Sequence, residues 1–190
     1  MTTPTHPTDV SGATAAGLFK VTGTWNALVD PYLAGSWSFP ETIHVQGLVT
    51  FTPRIPAGSI CYQDSKAALA LAPRYARIWD GQLANINVTD SRDVYLQANT
   101  SALNLLDSAG LTELVYDVVF SKVSFGGKPT TWQTTPDGVP APTITVSGVQ
   151  KITSFAFVAP TDPREPVCLT DPGLKRLAWQ KPLGPQAPVG

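Results

Sequence analysis

The stretch VQGLVTFTPRI, residues 45–55, decides the fold. Val45, Gly47, Val49 and Phe51 alternate with Gln46, Leu48, Thr50 and Thr52, the period of two that sends successive side chains to opposite faces of a strand. Pro53 has no amide N–H for a further ladder bond, so the strand is expected to stop there or to lie at a sheet edge. Arg54, beside it, is expected to be a rim or surface charge.

Working outward, the same grammar recurs. RYARIWDGQLANINVTD places Asp80 and Gly81 between two alternating runs, which predicts a hairpin through Trp79 to Gln82. DVYLQANT sets Val94, Leu96 and Ala98 on one face. LTELVYDVVFSKVSF carries Leu114, Tyr116, Val118 and Phe120 opposite Val115, Asp117 and Val119, the two-faced apolar content of a central strand. TTWQTTP, PTITVSG and ITSFAFVAP complete seven or eight strands. Helix is scarce: residues 65–73 and 100–110 are the only candidates, read as short connecting turns. Many short strands with Gly/Pro turns predict an all-β chain, an antiparallel β-sandwich with Ig-like or jelly-roll-like connections and extended N- and C-terminal arms.

Four segments follow: an extended N-terminal arm (1–17), an aromatic-rich N-terminal strand and loop (18–43), the sandwich (44–159) and a Pro-rich C-terminal arm (160–190). Residues 1–17 hold almost no large apolar groups. In 160–190 seven prolines interrupt every period, with one helical turn expected at DPGLKRLAW, capped by Asp171. Arms of this composition cannot order themselves, so neighbouring chains would have to hold them. The aromatics of the second segment and the isolated hydrophobic residues of the last are therefore the candidate interface anchors: Phe19, Trp25, Tyr32, Trp37, Phe39, Leu174, Leu177 and Trp179.

Composition limits the chemistry. Only 14% of the 190 residues are charged, and 18 prolines and 15 glycines mark a turn-rich β chain. A net charge of −1 gives no field to gather nucleic acid or an anionic membrane. No apolar run is long enough to span a bilayer, and the opening residues lack the basic and apolar regions of a secretory signal, which predicts synthesis in a cytoplasm. Nucleophile elbows, HExxH, P-loops and GxGxxG are absent. His6 and His44 have no neighbours at metal-ligand spacing, Cys61 and Cys168 are read as free buried thiols, and no cofactor or metal is expected. Asp80, Asp90, Asp93, Asp107 and Asp117 could pair for glycoside hydrolysis, but Asp80 belongs to a turn, Asp90 and Asp107 to loops, and Asp93 and Asp117 to the exposed faces of strands. Trp25, Trp37, Trp79, Trp132 and Trp179 could stack on sugars if aligned on an exposed sheet face, although sandwich aromatics more often fill a core or an interface.

Taken in order, VQGLVTFTPRI, YARIWDGQL, DVYLQANT, LVYDVVFSK and FAFVAPTDPREPVCLTD resemble a β-domain of minor tail proteins from siphophages that infect actinobacteria. The residues that carry the resemblance are Gly47, Val49, Phe51, Thr52 and Pro53, then Asp80 and Gly81, then Tyr116, Val118 and Phe120, and finally Phe157, Pro160, Val167 and Leu169. It covers roughly residues 44–172; Ala159 is inserted before Pro160, and residues 18–43 have no counterpart. The resemblance implies a non-enzymatic structural virion protein at or near the tail tip. It would partner other tail subunits and further copies of itself, with host cell-wall glycan as a further contact and no catalytic residues. A glycan-binding adhesion module and a capsid decoration protein of the same fold are the alternatives.

Overall fold

The structure, a computed structural model, describes residues 10–29, 41–55, 60–61, 68–69, 71–87, 91–103, 111–126, 147–149 and 152–181. After a one-and-a-half-turn helix α1 (Val10–Ala15) come β1 (Leu18–Thr22), β2 (Asn26–Val29), β3 (Glu41–Pro53), β4 (Ile60–Cys61), β5 (Ala68–Leu69), β6 (Arg74–Trp79) and β7 (Gln82–Asn85). These are followed by β8 (Val94–Gln97), β9 (Val115–Gly126), β10 (Ser147–Val149), β11 (Phe155–Val158), β12 (Val167–Cys168) and β13 (Leu177–Ala178). The chain is an all-β, antiparallel-rich sandwich. One sheet has the order β12-β1-β8; the larger has the order β13-β11-β9-β3-β6-β7, with β10 also on β9 and β2 on β3; and β4 pairs with β5 in a separate two-stranded sheet.

The opening stretch lies at the centre of the larger sheet, between β9 and β6. Val45, Val49 and Phe51 are fully buried, as the alternation requires. Pro53 ends β3, but the strand is no edge, and it begins at Glu41 because β2 pairs with its first residues. Residues 26–29, expected as loop, are therefore strand.

Gly47 marks the one break in the ladder with β9. Gln46 faces Ser124 and Leu48 faces Ser121, so two residues, Lys122 and Val123, oppose one. Lys122 sits at φ 52, a left-handed conformation that favours glycine. The extra residue shifts the parity of β9, so Val123 returns to the core on the same side as Tyr116 and Val118.

Between the sheets, the Phe19 ring of β1 meets Phe157 edge-on at 6.3 Å and Tyr116 at 6.4 Å. A second group, Trp25 against Phe120 at 5.6 Å and Phe120 against Phe155 at 6.1 Å, closes the other end. Burial pushes the Tyr116 phenol well above the usual tyrosine range, and its hydroxyl donates to the Gln97 carbonyl at 3.2 Å.

The hairpin forms as expected, with Trp79 opposite Gln82. Asp80 (φ 50) and Gly81 (φ 73) both adopt positive φ, as a type I′ turn needs. A Cβ on Gly81 would lie 2.9 Å from the Trp25 carbonyl oxygen and 2.8 Å from Asn26 Oδ1. Gly81→Ala is thus expected to cost about 2 kcal/mol, read as a lower urea midpoint with unchanged m-value; a wild-type midpoint would show that the turn relaxes freely.

Both ends differ from expectation. Residues 10–15 are helical rather than extended, with Ala13 buried. The described part of the C-terminal arm is held by its own chain. Val167–Cys168 runs parallel to β1, Leu169 is buried with its amide on the Thr22 carbonyl (2.8 Å), and Leu177–Ala178 adds to β11. The segment passes from one sheet to the other and closes that side of the sandwich. No helical turn forms at 171–176; Asp171 Oδ1 instead accepts the Gly173 amide at 2.8 Å in a tight turn.

Candidate interaction surface

The anchors picked from sequence separate into three groups. Phe19 is a core residue with no exposure, and Trp25 is part-buried against Phe120, its indole lying over Gly23. Leu174 packs on the core, and Leu177 lines an open apolar groove of about 660 Å³ with Trp25, Ile152, Phe155 and Arg176. Only Trp179 is both described and exposed, at 38%. Tyr32, Trp37 and Phe39 lie outside the described residues, as do Trp132 and the carboxylates Asp90 and Asp107.

The C-terminal strap is fastened by charge. Arg54 grips Asp117 with two parallel bonds, Nε to Oδ2 at 2.9 Å and Nη2 to Oδ1 at 2.8 Å, and Nη2 also donates to the Ala178 carbonyl. The Gln180 amide donates to Asp117 Oδ1 at 3.1 Å. Arg54 is therefore a specific contact and not a rim charge, and Asp117 is buried rather than exposed. The Asp117 carboxylate raises the Arg54 pKa further. One turn earlier, Arg176 donates to the carbonyls of Leu169 (2.8 Å) and Asp171 (3.1 Å) while its guanidinium lies 5.1 Å from the Phe155 ring centre.

Other titratable groups are spread out. Asp93 is half-buried in a 3.0 Å pair with Lys20. His44 Nδ1 is 3.1 Å from Asn26 Oδ1, beside the hairpin. Asp162, on the surface, is held down at about 2 by Arg164, which binds it with side chain and backbone. Cys168 is exposed, which corrects the buried-thiol reading; partial burial works against its ionisation, but hydrogen bonding to Thr170, Thr22 and Asp171 outweighs this and lowers its pKa. The Cys61 side chain lies outside the described residues. Among the described residues no three His, Cys, Asp or Glu side chains gather as metal ligands, and no helix is long and apolar enough to cross a membrane.

What sequence reasoning missed is a stripe on β6. Ala76 and Ile78 face the core, so Tyr75, Arg77 and Trp79 line the outer face of the large sheet. Tyr75 is 60% exposed and Trp79 38%. The Arg77 guanidinium lies 5.0 Å from the Trp79 ring centre, a cation–π contact that holds it flat on the sheet. Arg92 fixes the end of the strand by donating to the Trp79 carbonyl at 2.7 Å. Below Tyr75, on the rim, a cavity of about 260 Å³ opens between Ile86, Asn85, Asp93 and Tyr95. The period-two run RYARIW held half of this signal, since alternation puts Tyr75, Arg77 and Trp79 on one face together.

The fold and this surface define an all-β sandwich with one aromatic and cationic outer stripe. Compared with protein-family models, with curated proteins and with solved structures, the chain matches none.

Proposed function

We propose that the chain is a structural virion protein, a minor tail protein of a siphophage, that acts by assembling with other tail subunits and carries no catalysis of its own. The observation that supports this reading best is where the resembling residues fall. Val49 and Phe51 lie on β3, Tyr116 and Val118 on β9, Phe157 on β11, and Leu169 in the strap; all six are buried, and the order of motifs is the order in which the sandwich is built. The resemblance thus concerns the body of the fold and not an accidental loop. The body offers neighbours exposed Tyr75 and Trp179, residue types that serve as interface anchors.

The strap changes how assembly would work. Residues 160–181 are ordered by their own domain, so contacts to other subunits would be made by the outer face of the body more than by this arm. The test is the composition of the particle. Purified particles of the phage encoding the chain are expected to contain it by peptide mass spectrometry, and antibody raised against it should label the tail. Label on the head would move the reading to a decoration protein. A chain present in infected-cell lysate but absent from particles would overturn it.

A further inference from the structure

Arg77 has a feature that neither core packing nor the assembly reading uses. Its Nε and Nη2 atoms are buried and, among the described residues, have no hydrogen-bond partner. Those two atoms form one edge of the guanidinium, the edge that grips a carboxylate with two parallel bonds. Arg54 shows the same edge filled in this chain, with Nε and Nη2 on the two oxygens of Asp117. Buried guanidinium donors without an acceptor are costly, and native chains rarely keep them without a use.

The surroundings of Arg77 are those of a binding groove. A cavity of about 310 Å³ on the outer face of the large sheet is lined by Arg77 and Trp79 of β6, Gln46 and Leu48 of β3, and Lys122 and Ser124 of β9. Two cations and two neutral polar side chains line it, with no carboxylate among the lining residues. Lys122 reaches the groove because it occupies the left-handed position of the bulge, where the backbone conformation is strained for any side chain. Strain of that kind in a groove lining points to a use for the lysine there. Trp79 adds a part-exposed indole, and its ring holds the Arg77 plane in place.

We infer that this groove binds an acidic sugar: an oxyanion on the Nε/Nη2 edge of Arg77, charge-supported by Lys122, with the ring against Trp79 and its hydroxyls on Gln46 and Ser124. The Arg77 edge is closed to solvent, so the ligand enters by displacing a wall side chain, and the exposed Lys122, which makes no ring contact with Arg77, is the one that would swing aside. The oxyanion can be a uronate carboxylate or a sugar phosphate, since both match a planar fork. The inference goes beyond assembly and does not depend on where in a particle the chain sits.

The test uses the full chain, with D-galacturonate, D-galactose 6-phosphate and D-galactose as probes and two NMR readouts: the Arg77 Nε–Hε signal in the wild type, and the Trp79 indole N–H signal in the wild type and every variant. Saturable shifts with one or both acids and none with galactose are expected; the tighter acid assigns the source of the oxyanion. Arg77→Lys keeps charge and stem but loses the fork, and is expected to weaken binding by about tenfold. Lys122→Gly relieves the left-handed strain, so it should weaken binding while leaving the melting temperature unchanged or raised, an effect that loss of folding cannot imitate. No saturable shift with either acid, equal shifts with galactose, or unaltered affinity in Arg77→Lys would each overturn the inference.

Discussion

Replacing Arg54 by alanine is expected to destabilise the fold by about 3 kcal/mol, the lower end of the range for breaking a buried ion pair from one side. The reason lies in what remains. The Asp117 side chain is 7% exposed, and it would keep the Gln180 amide but lose both guanidinium bonds. A carboxylate so placed must stay charged without a cation or take up a proton, and either costs free energy. The Arg54 side chain is 23% exposed, which puts the loss at the lower end of that range. The Ala178 carbonyl loses its donor as well, so β13 should loosen with the pair. Two measurements check this: the urea midpoint, and hydrogen exchange at the Gln180 amide, which should accelerate more than exchange at Val49 in the centre of β3. The double variant Arg54→Ala with Asp117→Ala should be more stable than the sum of the single losses implies, because it leaves no orphaned charge. A single variant within the range of an exposed pair, below about 1 kcal/mol, would show that the strap is held by packing alone.

This pair also marks where sequence reading stops. Alternation located β3, β6, β8, β9 and β11, because a strand with one buried face must repeat every second residue whatever lies above it. Asp-Gly gave the hairpin because few residue pairs tolerate two positive φ values in succession. Asp117 sits at an outward position of the same alternation and so reads as solvent-facing. Its burial depends on Arg54 and on Gln180, each 63 residues away along the chain, and no local pattern reports that. The bulge was hidden for a related reason: lysine stands where glycine would have announced it. Helix α1 has no acidic residue in its first turn and no basic residue in its last, so nothing separates it from a Thr/Ala-rich tail. The Tyr75, Arg77 and Trp79 stripe was half legible; periodicity puts the three on one face, but not which side of the sheet the second layer covers.

Phe19 distinguishes a core residue from an interface anchor, and its substitution should have the largest single effect. Phe19→Ala is expected to cost about 4 kcal/mol, as for other fully buried phenylalanines whose cavity cannot close. Its ring has contacts on both sides, with Tyr116 and Phe157, and all three belong to different strands across the two sheets. Strands β1, β9 and β11 are each fixed by their own ladders, so none can move inward to fill the space without breaking backbone bonds. A loss of that size is a large share of the 5–15 kcal/mol that holds an ordinary domain together. The contrast is Trp79→Ala, which removes an exposed ring and should change the midpoint by no more than about 0.5 kcal/mol while altering whatever the outer face contacts. Chemical denaturation of the two variants side by side separates the roles. If Phe19→Ala keeps the wild-type midpoint, the two sheets do not share the core that joins β1 to β9 and β11, and the sandwich must be held together elsewhere.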